Sequence, residues 1–263
     1  MKAKRALVTG AGKRLGRAMA LCLAERGYDV AVHYATSKKE ADNVVDKISE
    51  LGCNAVALQA DFLDEDQTQA LVPRASGLLG GPITLLINNA SIFEYDNIST
   101  ATRVSWDRHL NSNLRAPFVL TQCLAATAPD PIRDANGEPV AQALVVNMLD
   151  QRVRKLTPEF MTYTIAKMGL WAFTQTAAQA LGPRVRVNAI APGPTLIGSR
   201  QTDEHFARQR AGTLLNRGGN LEDITAALKY LLDAPAITGQ LLCVDGGQHL
   251  GWQTPDVVGL EQE

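Results

Sequence analysis

Short apolar runs rich in β-branched residues alternate with longer amphipathic stretches along most of the chain. Seven of these runs predict strands, namely Arg5–Val8, Asp29–His33, Ala55–Gln59, Thr84–Ile87, Ala143–Asn147, Val185–Ala189 and Leu241–Val244. Helical periodicity marks six stretches, at residues 14–26, 38–51, 64–79, 103–127, 160–181 and 222–233. Several strands lack polar alternation, which is typical of strands buried on both faces. The pattern predicts an α/β fold, a doubly wound parallel sheet of seven strands with helices on both faces.

Two segments fall outside this alternation. Pro129–Pro139 is rich in turn-forming residues, whereas residues 195–215 follow a strand end and are mixed in composition. In a doubly wound sheet, the loops after the strands surround the ligand crevice. Residues 195–215 are therefore predicted to form a substrate loop. Because no linker or internal repeat is visible, residues 1–263 are predicted to form a single domain.

Composition narrows the class of partner. The chain has 263 residues, 46% of them hydrophobic and 20% charged, with a formal net charge of −1. No field of one sign would attract nucleic acid or an anionic membrane, so a small-molecule partner is expected. The four cysteines form no CxxC pair, which predicts neither a metal site nor a disulfide framework. The apolar runs are too short to span a bilayer, and a cytoplasmic location is expected.

A glycine-containing turn follows the first predicted strand and opens the first predicted helix. Glycines permit a tight turn, and backbone N–H groups at a helix N-terminus bind phosphate. The turn therefore predicts a dinucleotide site whose contacts are Gly10, Lys13, Arg14, Leu15 and Gly16. For Arg14, a guanidinium clamp on phosphate and an exposed side chain with a surface partner are the two alternatives.

The end of the second predicted strand indicates which dinucleotide is bound. The chain continues with His33, Tyr34 and Ser37, and no carboxylate occurs before Glu40. Enzymes that use NAD usually place an acid here to hold the ribose 2′-hydroxyl. Hydroxyl groups, an imidazole and cations suit a 2′-phosphate instead. The sequence therefore predicts NADP(H) as the cofactor.

Tyr163 and Lys167 lie four residues apart and share one face of a predicted helix. A free tyrosine has a pKa of about 10, so it needs a neighbouring cation to exchange protons near neutral pH. Lys167 would supply that cation. The pair is a candidate proton-transfer site.

Further motifs occur in a fixed order around this pair. Asn88-Asn89-Ala90 follows the fourth strand, Asn113 lies in the long helix, and Pro192-Gly193 and Asp245-Gly246-Gly247 close the last two strands. Together with the glycine turn and Tyr163, they resemble the short-chain dehydrogenase/reductase family, whose fold is of the Rossmann type. Arg14 takes the place of the middle glycine in the family's turn.

The resemblance implies further roles. Asn113 would support a water path to Lys167, which with Tyr163 would also hold the cofactor. Further cofactor residues would be Asp61, Phe62, Asn89, Ala90, Ser91, Pro192, Gly193 and Thr195. Members of the family are usually homotetramers or dimers, with helices such as 103–127 and 160–181 at their interfaces.

Asp150 departs from the family pattern, because it stands where the catalytic serine is expected. An ionised carboxylate would repel the oxygen that becomes negative when a ketone is reduced. It would also raise the pKa of Tyr163 and keep that residue a proton donor. Asp150 therefore suits a substrate that presents N–H groups or ring nitrogens.

This departure, with several others, resembles the pteridine reductase branch of the family. The shared features are Arg14, His33-Tyr34, Asn88–Phe93, Asn147–Asp150 and the loop Pro129–Pro139. The resemblance implies reduction of a pterin C=N bond, with Tyr163 as proton donor and Asp150 orienting the pterin or relaying protons.

The same resemblance implies a set of substrate contacts. Phe93 would stack on the pterin ring, for which core packing is the alternative, and Ser91 and Arg14 would contact the pterin or the cofactor phosphates. No arginine follows Tyr34, so Arg14, Ser37 or Lys38 would have to contact the 2′-phosphate. The predicted substrate-binding residues are Arg14, Ser91, Phe93, Asp150 and Tyr163.

Two other functions are compatible with the motifs. One is a carbonyl reductase, for instance of 3-oxoacyl thioesters, with Arg152, Arg154 and Lys155 as a docking patch for an acyl carrier protein. The other is a non-catalytic NADP(H) sensor, which the presence of Tyr163 and Lys167 disfavours. The tail from Gln248 to Glu263, which carries Trp252, is a candidate for covering a neighbour's site in an oligomer, and no feature of the sequence decides this.

Overall fold

The protein is described by a computed structural model that covers residues 4–198 and 200–254. In chain order the strands are β1 (Lys4–Val8), β2 (Tyr28–Tyr34), β3 (Ala55–Gln59), β4 (Leu85–Asn88), β5 (Ile132–Arg133), β6 (Pro139–Val140), β7 (Ala143–Met148), β8 (Val185–Pro192) and β9 (Leu241–Val244). Seven of them form one sheet in the order β3-β2-β1-β4-β7-β8-β9, with every pairing parallel. The predicted fold class is confirmed.

The helices cover both faces of this sheet. They are α1 (Arg14–Ala24), α2 (Lys38–Glu50), α3 (Glu65–Leu78), α4 (Arg103–Leu110), α5 (Ala116–Thr127), α6 (Met161–Leu181), α7 (Asp203–Ala211) and α8 (Leu221–Asp233). Successive strand residues point to opposite faces, so Ala6 and Val8 pack with α1, α2 and α8, whereas Leu7 packs with α3, α5 and α6. The strands lack polar alternation because both of their faces are buried.

Three segments differ from the sequence prediction. The helix expected over residues 103–127 is interrupted by a π-helical turn, Asn111–Arg115, between α4 and α5. The predicted substrate loop, residues 195–215, contains α7, none of whose residues is buried, so it left no apolar periodicity to detect. The loop Pro129–Pro139 contributes to a small antiparallel pair formed by β5 and β6.

The strand order reverses between β1 and β4. The chain proceeds from β1 outward to β2 and β3 on one side, and from β4 to β7, β8 and β9 on the other. The loops after β1 and β4 therefore separate and leave a crevice at the carboxyl ends of the strands, where ligands of such sheets bind. Within the described ranges, no helix is long and apolar enough to cross a membrane.

Candidate active site

The turn after β1 is built for close approach to its neighbours. Gly10 has a φ of 61°, and a Cβ on Gly16 would lie 2.3 Å from the carbonyl oxygen of Gly10. Helix α1 then begins without a side-chain cap, and its first turn contains no acid. The first N–H groups of a helix have no partner within it, so they are available to a ligand.

His33 supports this turn from below. The Gly10 amide donates to Nδ1 at 3.1 Å, so Nε2 carries the proton and donates to the Ala60 carbonyl at 3.0 Å. The ring also stacks on Phe62 with centroids 4.4 Å apart. Burial lowers the pKa of His33 to about 4, which keeps the imidazole neutral. Both ring nitrogens of this predicted cofactor residue are therefore engaged by backbone.

Thr9 and Asn89 join the ends of β1 and β4. The Thr9 hydroxyl accepts hydrogen bonds from the Asn89 and Ala90 amides at 2.8 and 2.9 Å. The Asn89 side chain donates to the carbonyls of Thr9 and Gly10. These bonds fix the floor of the crevice at the point where the strand order reverses.

A groove of about 400 Å³ runs along this crevice. It brings together thirteen of the predicted cofactor residues: Gly10, Lys13, Arg14, Leu15, Gly16, His33, Tyr34, Ser37, Asp61, Phe62, Asn89, Ala90 and Ser91. The sequence prediction did not include Ala35, Thr36, Ala60, Ile92 and Ser112, which also line it. They are neighbours of predicted residues or come from the π-helical turn.

Two lysines at the Tyr34–Ser37 end of the groove are already paired. Lys13 lies 2.7 Å from Glu40, and Lys38 lies 2.7 Å from Asp42, all four side chains being exposed to solvent. Exposed pairs of this kind are weak and can open to an incoming anion.

Arg14 is directed elsewhere. Its guanidinium donates to the carbonyls of Ile197 and Leu196 at 2.7 and 3.0 Å, in the loop after β8. Its backbone adopts a φ of 52°, a conformation that favours glycine. Arg14 therefore spans the nucleotide groove and the second, larger cavity, since it lines both.

Tyr163 and Asp150 meet at the start of α6 and the end of β7. The Tyr163 hydroxyl donates to Asp150 Oδ2 at 3.1 Å. Burial raises the pKa of Tyr163 well above 10, and the charge of Asp150 raises it further, while a hydrogen bond from Ser91 acts in the opposite direction. Asp150 Oδ1 accepts the Arg152 amide at 2.9 Å, which fixes the carboxylate.

Lys167 lies one helical turn beyond Tyr163. Its Nζ donates to the Met148 carbonyl at 2.8 Å and lies 5.6 Å from the centre of the Tyr163 ring. Burial lowers the pKa of Lys167 to about 8, and the Asp150 charge opposes this shift. The expected spatial pairing of tyrosine and lysine is thus present, with a carboxylate added.

Asn113 sits in the π-helical turn and is fully buried. Its Oδ1 accepts the Ile92 amide and its Nδ2 donates to the Ile92 carbonyl, both at 2.8 Å. The side chain thus holds the segment that carries Ser91 and Phe93. In this conformation its amide contacts Ile92 and not Lys167.

The larger cavity, of about 900 Å³, opens beside Asp150. Phe93 and Phe160 stack in its wall with ring centroids 4.4 Å apart, and Phe93 meets the edge of Tyr163 at 4.7 Å. Pro192, Gly193 and Thr195, three further predicted cofactor residues, also line this cavity. Phe160 was not predicted as a site residue. Its φ of 56°, just before α6, is a feature of the tertiary structure and gives no signal in the local sequence.

A buried series of hydrogen bonds lies behind these rings, and its residues were not predicted from the sequence either. The Glu94 amide donates to His109 Nε2, so the proton is on Nδ1, which donates to the Thr162 hydroxyl at 2.7 Å. Thr162 in turn donates through its hydroxyl and its amide to the Asp96 carboxylate. The series ties the segment after Ser91 to the first turn of α6.

Two arginines of the predicted docking patch pack on different rings. Arg152 packs on the Phe160 ring at 4.9 Å, whereas Arg154 packs on Trp171 at 5.5 Å. Gln248 lines the larger cavity. The predicted tail also includes residues 255–263, which lie outside the described residues. Within the described residues no group of three or more His, Cys, Asp or Glu side chains could hold a metal.

Comparison with known proteins establishes the family. Residues 10–249 match the sequence profile of a family described as Enoyl-(Acyl carrier protein) reductase. The chain belongs to the short-chain dehydrogenase/reductase family. It is 34% identical over 254 residues to the 3-oxoacyl-[acyl-carrier-protein] reductase FabG of Staphylococcus aureus, with 94% of this chain and 98% of that protein covered.

Solved structures add a second kind of relative. FolM Alternative dihydrofolate reductase 1 from Brucella suis, in complex with NADP, is 42% identical and superposes with a TM-score of 0.89 over 96% of this chain and 98% of its own. A short chain dehydrogenase from Burkholderia cenocepacia, also in complex with NADP, is 31% identical with a TM-score of 0.84, covering 93% and 97%. The predicted cofactor agrees with these complexes.

Proposed function

We propose that the protein is an NADP(H)-dependent oxidoreductase that reduces a C=N bond of a dihydropterin or dihydrofolate. The observation that carries this proposal is the hydrogen bond between Tyr163 and Asp150, at the position where the family resemblance leads one to expect a serine. The 42% identity to a dihydrofolate reductase of the same fold supports it.

The groove fits NADP(H). The uncapped start of α1 offers N–H groups to the pyrophosphate, and the absence of an acid at the end of β2 leaves room for a 2′-phosphate. Ser37 and the lysines that now pair with Glu40 and Asp42 would hold that phosphate, and Tyr163 and Lys167 the nicotinamide half. When bound, NADPH supplies the hydride.

Tyr163 acts as the proton donor. Its raised pKa keeps the phenol protonated throughout the physiological range. Loss of that proton beside ionised Asp150 would bring two anions together, so Asp150 needs a compensating donor from the substrate. A pterin offers N–H groups that donate to a carboxylate, whereas a ketone oxygen would meet only repulsion.

The larger cavity holds the pterin. Phe93 packs against Phe160 but is still 45% exposed, so the substrate ring stacks on the exposed part of the Phe93 ring. Ser91 and Asp150 then orient the ring, and Arg14 holds the loop that closes over it through Leu196 and Ile197. The hydrogen bonds of Asn113 to Ile92 fix the backbone next to Phe93, and this keeps the Phe93 ring beside Tyr163.

The second candidate function is reduction of a 3-oxoacyl thioester, which the FabG relatives favour. The Asp150 carboxylate disfavours it, because a carboxylate takes the place of the expected serine hydroxyl and cannot donate a hydrogen bond to the ketone oxygen.

NADPH oxidation by the purified protein tests the two functions side by side. Dihydrobiopterin, dihydrofolate and an acetoacetyl thioester are offered to the wild type, to Asp150→Ser and to Tyr163→Phe. We expect turnover of the pterins alone, lost in both variants. Turnover of the thioester alone, or a gain of pterin reduction in Asp150→Ser, would overturn the proposal.

We also propose that the single-domain chain forms a homo-oligomer through α4 and α6. Val104 and Trp106 on α4, and Ile165 and Met168 on α6, expose apolar side chains to solvent. A second copy would cover them. Light scattering after gel filtration tests this: Ile165→Glu should release monomers if α6 is buried between copies, and an unchanged mass would exclude this face.

A further inference from the structure

The larger cavity carries more positive charge than pterin reduction requires. Its charged side chains at neutral pH are Asp150, Arg14, Arg152 and Arg200. Asp150 is bonded to Tyr163, and the Arg14 guanidinium is occupied by two loop carbonyls. Arg152 and Arg200 remain at the mouth, with no role in the chemistry described above.

Neither of these arginines has a carboxylate partner within the described part of the chain. Arg152 donates to the Thr157 hydroxyl at 2.7 Å, and Arg200 donates to the Phe93 carbonyl at 2.7 Å. Glu94, whose pKa Arg200 helps to lower, is held by two hydrogen bonds from Arg108. Since a guanidinium has five N–H donors, most of those on Arg152 and Arg200 are free for a ligand.

The two guanidinium groups are nevertheless held in place by aromatic rings. Arg152 lies 4.9 Å from the centre of Phe160, and Arg200 lies 5.4 Å from Phe93 and 5.7 Å from Phe160. Stacking on a ring orients a guanidinium while leaving its in-plane donors exposed. The same two rings lead back to Tyr163, so the arginines stand at the outer end of the surface on which the substrate ring stacks.

We propose that Arg152 and Arg200 form a subsite for a carboxylate carried by an aromatic extension of the dihydropterin, as in dihydrofolate. The inference rests on the proposed function. The cavity of about 900 Å³ is shared with the nicotinamide half of the cofactor beside Pro192, Gly193 and Thr195, and it extends past Asp150 as far as Arg152 and Arg200, which leaves space for a substrate tail at that end. Guanidinium groups bind carboxylates in a bidentate manner, which gives them preference over neutral polyol side chains.

The test compares substrates that share the ring and differ in the tail. Arg152→Gln, Arg200→Gln and the double variant are assayed for NADPH oxidation with dihydrofolate and with dihydrobiopterin. We expect the KM for dihydrofolate to rise about fivefold to tenfold per arginine, as for loss of a partly exposed charge-assisted hydrogen bond, with the KM for dihydrobiopterin unchanged. Arg208→Gln is the matched control, because Arg208 is exposed on α7 and does not line the cavity.

A binding measurement separates failure of the subsite from failure of the proposed function. Calorimetry with p-aminobenzoyl-glutamate, which has no pterin ring, should show binding to the wild type that weakens at high salt and is lost in the double variant. If pterins are reduced but the variants raise the KM of both substrates equally or of neither, the subsite is excluded. If no pterin is reduced while the fragment still binds through the arginines, the proposed function fails and the anion subsite stands. If neither occurs, both are overturned.

Discussion

Tyr163 donates a hydrogen bond to Asp150 at 3.1 Å, so the proposed proton donor is bonded to a carboxylate. Burial and this anion both raise the pKa of Tyr163. A tyrosine with a raised pKa stays protonated at neutral pH, so it is available as a proton donor and does not act as a base. At neutral pH the pair therefore presents the protonated phenol that reduction of a substrate needs.

We expect the titration of Lys167 to set the alkaline limit of activity. Its pKa is lowered to about 8, so its positive charge is lost as the pH rises through that value, while Tyr163 stays protonated. We expect kcat/KM to fall above about pH 8. Because the Asp150 charge raises the pKa of Lys167, Asp150→Asn should move the falling limb of its residual activity to lower pH. A limb that stays in place or moves upward would contradict this origin.

Arg14→Gly should separate stability from substrate binding. Glycine adopts a φ of 52° without the penalty of about 1 kcal/mol that other residues suffer, and this gain offsets part of the stability lost with the Arg14 side chain, so the free energy of unfolding should change little. The two hydrogen bonds to Leu196 and Ile197 are lost at the same time, and the KM for substrate should increase.

Urea unfolding and steady-state kinetics measure the two effects of Arg14→Gly, and hydrogen exchange of residues 196–198 reports on the loop. The control is Arg17→Gln, because Arg17 is exposed on the same helix and glutamine retains the helix propensity of arginine. Arg17→Gly is unsuitable, because glycine lowers that propensity. Arg17→Gln should leave the KM unchanged. A KM in Arg14→Gly equal to that of the wild type would refute the tethering role.

Thr162→Val should destabilise the protein by roughly 2–3 kcal/mol. It leaves Asp96 and His109, both buried, without the hydroxyl that joins them. Thr164→Val provides the comparison, because the buried Thr164 hydroxyl has no hydrogen-bond partner in the structure and its removal should cost little or nothing. Thermal unfolding of both variants tests this contrast, which an equal loss in the two would abolish.

His33 makes the fold sensitive to acid. Its pKa is about 4 in the folded protein and 6.5 for the free group, so the unfolded chain binds more protons between these values and stability falls as the pH drops. From pH 7 to pH 5 the loss from His33 is roughly 2 kcal/mol.

His33→Asn removes the titrating group from both states. The difference between its unfolding free energies at pH 7 and pH 5 should therefore be smaller than that of the wild type. Identical pH dependence in the two proteins would assign the acid sensitivity to other groups, such as His109, whose pKa burial also lowers.

The parts of this molecule that follow from local sequence were predictable. Residues such as Leu7 and Val8 mark a strand buried on both faces, and the turn from Gly10 to Gly16 marks the nucleotide crevice. Tyr163, Lys167 and Asp150 are spaced for contact across one helix start. Each of these signals lies within a short stretch of chain.

The parts that depend on distant contacts were not predictable. Arg200 reaches the Phe93 carbonyl across more than a hundred residues, and Phe160, which has an unusual backbone conformation, packs against Phe93 and Arg152. Helix α7 buries no residue, so its sequence has no apolar stripe from which a helix could be predicted. His33 lines the groove as predicted, but the sequence did not indicate that both of its ring nitrogens bind backbone groups.

The π-helical turn Asn111–Arg115 has a consequence for how the chain length may vary. An α-helix turns about 100° per residue, and a π-helical turn accommodates one residue more than an α-helical one. Deletion of a single residue between α4 and α5 would yield a more regular helix but rotate Asn113 away from Ile92. The number of residues in this turn is therefore constrained as strictly as their chemical identity. Deletion of one residue here would inactivate the enzyme without removing any catalytic side chain.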